Sequence, residues 1–335
     1  MFDRRLRIKE TCMAEGEILL TGRRIWVAGH RGMVGSALVR ALARENVVLL
    51  TATHSELDLR RQADTESWMR LNRPEVIFVA AAKVGGILAN DTYPAEFLYD
   101  NLVIQTNIVE AAHQVGTEKI MLLGSSCIYP KLAPQPIDED SLLSGPLEPT
   151  NQWYAVAKIA GIKLAQAYRR QYGMNLVTVM PTNLYGPNDN YDLKNSHVAA
   201  ALLRRIHQAK MARATEVSIW GTGAPLREFL HVQDLAEACI FLVKTWNDPD
   251  PLNVGSGQEV SVAELAHLIA DVVGWRGTFV FDRSKPDGTP RKRLDTTRLA
   301  RLGWTSAIPL REGLADAYRD FVRRWDAGEF RQADG

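Results

Sequence analysis

Short apolar runs alternate with longer stretches of mixed polarity along most of the chain. Residues 24–28 (RIWVA), 47–50 (VVLL), 76–80 (VIFVA), 119–123 (KIMLL) and 176–180 (LVTVM) are close to continuously apolar. Runs this short predict strands buried on both faces, the habit of parallel sheets. Residues 36–44, 94–115, the segment opening at Tyr154, 198–208 and the stretch from Val232 predict helices. Strands and helices in alternation predict an α/β fold with a doubly wound parallel sheet. Residues 181–187 (PTNLYGP) read as a turn-rich exit from that sheet, and 253–257 (NVGSG) as a late strand and turn returning to it. The Pro-, Asp- and Glu-rich segment 131–150 reads as a solvent-facing lid or rim.

Open α/β sheets bind ligands beyond the carboxyl ends of their strands, and the predicted strand ends here carry candidate chemistry. The first is followed at once by Gly29-His30-Arg31-Gly32-Met33-Val34-Gly35 and a helix. Glycines there permit a tight turn and close backbone approach, and the helix N-terminus offers free N–H groups to a pyrophosphate, so the stretch predicts a nucleotide cofactor. An NAD site would place an acid after the second strand. This chain has Thr51-Ala52-Thr53-His54, which leaves Arg31 and His54 to face a 2′-phosphate and favours NADP. The small residues of 80–86 (AAAKVGG) suggest backbone lying close to a flat ligand.

The fourth strand ends in Gly124-Ser125-Ser126-Cys127-Ile128-Tyr129-Pro130, two hydroxyls and a thiol in one row. Taken alone, Cys127 reads as a small buried hydrophobe. Tyr154 and Lys158 lie four apart, on one helix face, where the ammonium would lower the phenol's pKa. His197 opens another helix. Arg205, Arg227 and Arg291 are candidates to neutralise a diphosphate, against the plainer reading of surface salt bridges. The segment 285–292 is a basic, glycine- and proline-containing loop.

Composition narrows the field. Forty Lys and Arg against 39 Asp and Glu, with no basic stripe interleaved with aromatics, argue against a nucleic-acid partner. Cys12, Cys127 and Cys239 form neither a disulfide framework nor a metal-ligand spacing and fit a reducing, cytoplasmic compartment. No apolar run approaches the roughly 18 residues of a membrane span, and residues 1–23 lack the apolar core of a signal peptide.

The glycine loop, Ser125, Tyr154 with Lys158, the 225–234 segment and the 253–257 turn together resemble the extended short-chain dehydrogenase/reductase family that acts on nucleotide sugars. Six blocks carry the resemblance over residues 24–325: 28–36, 80–87, 124–130, 180–187, 195–197 and 285–292. It implies an N-terminal extension (1–23), a Rossmann-type domain (24–182 with about 224–255) and a smaller C-terminal α/β substrate domain (183–223 and 256–330). It also implies NADP(H), a GDP-sugar substrate and a homodimer. Within the family, the blocks are similar to members that epimerise a GDP-linked 4-keto-6-deoxymannose at C3 and C5 and then reduce C4.

Carried over, the resemblance makes Ser125, Tyr154 and Lys158 a reductase triad and Cys127 with His197 an epimerase acid/base pair. The cofactor would be lined by Gly29, His30, Arg31, Gly32, Met33, Val34, Gly35, His54, Asp58, Leu59, Leu123, Gly124, Ser125, Ser126, Lys158, Pro181, Thr182, Asn183, Leu184 and His197. Arg205, Trp220, Arg227 and Asp287 would hold the GDP-sugar; no metal is implied. One departure is His54, where the family pattern calls for an arginine. The alternatives are a sibling nucleotide-sugar 4-epimerase or 4,6-dehydratase, which would keep its nicotinamide through the cycle, and a non-catalytic dinucleotide-binding protein.

Overall fold

The computed structural model describes residues 18–192, 196–285 and 287–330, with the backbone alone for Ile87. Most of the expected 1–23 extension, with Cys12, lies outside the described residues, as do Asn195 and Pro286. The chain begins β1 (Arg24–Ala28), α1 (Met33–Leu42), β2 (Val48–Leu50), α2 (Gln62–Asn72), β3 (Val76–Val79), α3 (Ile87–Thr92), α4 (Pro94–Val115) and β4 (Lys119–Leu123). It continues α5 (Gln152–Tyr172), β5 (Asn175–Pro181), β6 (Asn183–Tyr185), α6 (Val198–Met211), β7 (Glu216–Trp220), β8 (Leu226–His231), α7 (Val232–Thr245) and β9 (Leu252–Val254). The last elements are β10 (Glu259–Ser261), α8 (Val262–Val273), β11 (Thr278–Asp282), β12 (Arg291–Lys292), α9 (Thr297–Arg301) and α10 (Leu310–Asp326).

Six strands form one parallel sheet in the order β2-β1-β3-β4-β5-β9. All of β3 and β4 is buried, as their unbroken apolar runs require. Even Lys119 is fully buried; its ammonium donates to the carbonyl of Trp246 (2.6 Å) and to Oδ1 of Asn247 (2.8 Å), and burial pulls its pKa down to about 8. One apolar layer packs α1 and α7 on one face of the sheet, and another packs helices including α4 on the opposite face. Helix α4 begins with Pro94 and stops at Gly116, whose φ of 73° supplies the left-handed C-cap. Strand order turns back at β1, between β2 and β3, which is where such sheets open a ligand crevice. This is the doubly wound, Rossmann-type α/β fold that the periodicity predicts.

A second, smaller sheet runs β10-β8-β12, with β6 also pairing β8, and β11 pairs β7. Residues 181–187 are therefore more than an exit, because β6 is a strand of the second sheet. The stretch 224–255 is likewise divided: β8 joins the small sheet, while α7 and β9 return to the large one. A separate apolar cluster joins α6, α8 and α10 over β7.

Most of segment 131–150 faces solvent, as its composition suggests, but four of its residues anchor it to the core. Ala133, Ile137, Glu139 and Ser141 are buried, because Ile128, Tyr129, Ala133 and Ile137 pack with Ile159, Ile162, Met180 and Leu294. Asn253, on β9, ties this layer to the sheet. Its Oδ1 accepts from the Tyr129 hydroxyl (2.6 Å), its amide donates to the carbonyl of Ile137 (2.9 Å), and its backbone N–H reaches Glu139 (3.0 Å). An Asn253→Ala variant strands the buried Tyr129 hydroxyl, while the Ile137 carbonyl keeps the Asp295 N–H (2.7 Å), so chemical denaturation is expected to show a loss of about 1–3 kcal/mol. A loss below about 0.5 kcal/mol would contradict this role.

Candidate active site

Helix α1 starts inside the glycine loop, at Met33 and not at Ser36, because Gly32 is extended (φ −72°, ψ 170°) and serves as its N-cap. No side chain caps this end, which leaves its N–H groups for an anion. Two of its glycines admit no larger residue. Gly29 has φ 84°, and a Cβ on it would lie 2.7 Å from Ala81 Cα; one on Gly35 would lie 2.1 Å from the Gly29 carbonyl oxygen. Met33 and Val34 anchor the loop to the core, and Nδ1 of His30 is buried without a partner. Such a cradle fits a dinucleotide pyrophosphate. Pro181 ends β5 and Thr182 links it to Asn183 and Leu184 on β6, with the side chains of Thr182 and Asn183 bonded to the carbonyl of Glu228.

Arg31 is exposed on this loop. His54 is exposed too, with its ring 3.8 Å from Asp58. Arg60 forks onto Asp58 at 2.9 Å and holds that carboxyl down at about 2. Leu59 accepts from the Asn107 amide at 2.9 Å. The turn after β2 also contains an acid that the sequence reading passed over, Glu56. Its carboxylate is folded back on the N–H (2.7 Å) and hydroxyl (2.8 Å) of Thr53, which lowers its pKa, with the Arg31 charge contributing less.

At the end of β4, Ser125 caps a single turn of 3-10 helix, its Oγ accepting from the N–H of Cys127 at 3.2 Å. The turn buries Ser126 and leaves Cys127 half-buried. Two donors face the sulfur: Nδ2 of Asn151 and Nζ of Lys292, each at 3.5 Å from Sγ. Tyr154, in the first turn of α5, hydrogen-bonds Ser125. Lys158, one turn on, donates to the carbonyl of Leu123 at 2.8 Å, and its ammonium lies 5.7 Å from the Tyr154 ring centroid. Burial draws the Lys158 pKa down to about 8. The expected lowering of the Tyr154 phenol is not found. Burial pushes it up, the Cys127 thiol adds to this, and the Ser125 hydrogen bond only partly offsets them.

His197 stands at the N-cap of α6 without making a cap bond through its ring. The ring is open to solvent yet densely surrounded by protein, and this, followed by the Lys292 charge, holds the imidazole below its ordinary range. Lys292, which the sequence reading had left in a generic basic loop, thus reaches the Cys127 thiol, and its charge acts on His197.

The remaining candidates lie on the second lobe. Trp220, at the end of β7, is more than half exposed, with Arg205 at 5.4 Å and Lys285 at 5.8 Å from its ring centroid. Burial lowers the pKa of both Arg205 and Arg227. Among the described residues neither guanidinium lies within ion-pair distance of a carboxylate, so both are poised for an anionic ligand. Asp287 is engaged by Thr222, through its N–H (2.9 Å) and its hydroxyl (2.8 Å). Arg291 departs from the expected diphosphate role, because Glu259 grips it at 2.6 and 2.9 Å.

Residues 25–255 match the NAD dependent epimerase/dehydratase family. The chain belongs to that family. It is 55% identical over 304 residues to the GDP-L-fucose synthase of Sinorhizobium fredii (strain NBRC 101917 / NGR234), covering 91% of this chain and 97% of that protein. It is 57% identical over 301 residues to GDP-L-fucose synthase 1 of Arabidopsis thaliana, with 90% and 93% covered. A crystal structure of a GDP-L-fucose synthetase from Naegleria fowleri bound to NADP superposes with a TM-score of 0.86 at 25% identity, covering 93% and 98%.

Membership in this family gives the glycine cradle its ligand class, a nicotinamide dinucleotide, and relatives that use NADP make Arg31 the cation to test. Arg31→Ala is expected to raise KM for NADPH by about tenfold or more, since a charge-assisted bond to phosphate contributes about 1.5–3 kcal/mol. KM for NADH should move less than threefold. Equal changes with both cofactors would remove Arg31 from 2′-phosphate recognition.

Proposed function

We propose that this chain carries out the 3,5-epimerisation of GDP-4-keto-6-deoxy-D-mannose and the NADPH-dependent reduction of its C4 carbonyl, giving GDP-L-fucose. The observation that carries the reading is the half-buried thiol of Cys127 beside the Ser125–Tyr154 pair, with the Lys292 ammonium 3.5 Å from that thiol and its charge acting on His197. A reductase alone has no use for an acid/base pair next to its carbonyl site. Relatives at 55% and 57% identity named as GDP-L-fucose synthases support the substrate.

The ketone at C4 acidifies the hydrogens on C3 and C5. Cys127, as thiolate, takes one of these protons, and the carbon–hydrogen electron pair moves onto the C4 oxygen. Ser125 and Tyr154 hydrogen-bond that oxygen and stabilise the developing enolate. His197 returns a proton to the opposite face as the C4 carbonyl re-forms, which inverts the carbon; Cys127 then gives its proton to solvent, His197 takes one up, and the cycle repeats at the second carbon. NADPH, when bound, supplies the hydride that C4 receives in the last step. Tyr154 then protonates the C4 oxygen, and Lys158 steadies Tyr154 through its charge.

Arg205 and Arg227 would neutralise the diphosphate, with Trp220 offering a flat apolar face to the base and Asp287 a carboxylate held by Thr222. We also infer a cytoplasmic homodimer. Exposed Tyr99, Trp153 and Val156 on α4 and α5 favour association through these helices, and the free thiols Cys127 and Cys239 fit a reducing compartment. Sheet membership supports a division into a cofactor lobe of about 24–182 joined by α7 and β9 from the 224–255 stretch, and a substrate lobe built on β6, β8, β10 and β12.

The test offers the ketosugar and NADPH to the enzyme in D2O and identifies the product by NMR. GDP-L-fucose with deuterium at C3 and C5 is expected. Cys127→Ser and His197→Gln should each slow deuterium incorporation by about a hundredfold or more, the lower end of acid–base contributions, with NADPH affinity changed less than threefold. A reduced product that keeps the original C3 and C5 configuration would overturn the proposal. Tightly held nicotinamide with no net NADPH consumption would point to a 4-epimerase or dehydratase.

A further inference from the structure

Lys292 has no role in the chemistry written above, yet it reaches the thiol. Its strand, β12, is only two residues long and pairs in parallel with β8, setting Arg291 beside Leu226 and Lys292 beside Arg227. Successive strand residues point to opposite faces. Arg291 is turned onto Glu259, whose two oxygens it takes at 2.6 and 2.9 Å. The same register sends Lys292 the other way, across to the end of β4, where Nζ lies 3.5 Å from Cys127 Sγ. Among the described residues no carboxylate lies within ion-pair distance of Lys292. The remaining groups around the thiol are Ser125 on its own loop, with Asn151 and Tyr154 at the start of α5. Arg227 adds a second cation on the neighbouring strand, and the Lys292 charge also acts on His197 at the start of α6.

We propose that Lys292 is a positioning residue that holds Cys127 as the thiolate, with the Arg291–Glu259 pair fixing the strand that aims it. A cation this close favours the ionised thiol over the neutral one. The same charge disfavours a protonated His197, which makes that imidazole the stronger acid when it does hold a proton. One ammonium therefore raises the base content of Cys127 and the acidity of His197 together. The consequence for turnover rests on the reading of Cys127 as proton acceptor; the effect on the thiol itself does not.

The two are separated by measuring alkylation apart from turnover. The rate of iodoacetamide modification of Cys127 in the full-length protein, followed by mass spectrometry of its peptide between pH 5.5 and 9.5, reports the thiolate directly. The wild-type midpoint is expected below the ordinary thiol value of about 8.5. Lys292→Gln should raise it by about one unit or more and slow modification at pH 7 about tenfold, while Lys292→Arg should return it close to wild type. Deuterium exchange into the ketosugar should fall about tenfold in K292Q at pH 7 and recover towards pH 9. A wild-type midpoint at or above 8.5 overturns the proposal without any variant. So does an unchanged midpoint in K292Q, or a K292R midpoint displaced as far as that of K292Q, which would mark a merely structural lysine. Alkylation that follows the charge in an enzyme showing no exchange would leave the Lys292–Cys127 coupling standing and remove the epimerase reading.

Discussion

The hydrogen bond from Lys158 to the carbonyl of Leu123 joins the two elements on which the candidate site depends. It fastens α5 to the end of β4 at 2.8 Å, and the groups that reach the carbonyl site lie within a few residues of its two ends. On the strand side, the chain leaves the sheet into Ser125, whose hydroxyl caps the turn that presents Cys127. On the helix side, Tyr154 lies one turn before the lysine and meets Ser125 across the gap. A buried ammonium is costly unless it is bonded, and the Leu123 carbonyl is the partner that makes this one tolerable. Its lowered pKa, about 8, records that cost.

Charge elsewhere in the cleft follows a similar logic. Arg205, Arg227 and Lys292 have no carboxylate within ion-pair distance among the described residues, and burial weakens the first two as cations. A protein that only needed stability would gain by pairing such groups or leaving them in water. Unpaired and partly buried, they are set for an anion that comes and goes. On the proposed reading that anion is the diphosphate of the substrate for the two arginines, and the Cys127 thiolate for the lysine. Arg291 shows the contrast: one residue away, on the opposite strand face, it is fully engaged by Glu259 and takes no part in the cleft.

Where the sequence reading departed from the structure, long-range packing was the cause. The 131–150 segment looks hydrophilic in composition, yet its few apolar side chains complete a cluster with Ile159, Ile162, Met180 and Leu294. Those partners lie far along the chain, so no local window shows them. Residues 181–187 hold a strand, β6, whose partner β8 comes some forty residues later. The phenol of Tyr154 was expected to be lowered by its i+4 lysine, but the lysine is committed to Leu123 and burial wins. Glu56 was overlooked because its carboxylate closes a turn on Thr53, an arrangement that spacing alone does not reveal.

The amino-acid sequence by itself determined the parallel sheet, the glycine cradle and the family, along with which residue types stand at each strand end. These follow from short-range rules: continuous apolar runs for buried strands, a glycine turn before a helix, and motifs that occupy a few adjacent positions. The tertiary structure decided which charges meet. Lys292 and Cys127 are 165 positions apart, and their approach depends on the pairing of a two-residue strand with β8 and on the alternation that turns Arg291 away. Coulomb energy depends on distance in space and on what else is near, and neither quantity is written in the order of residues.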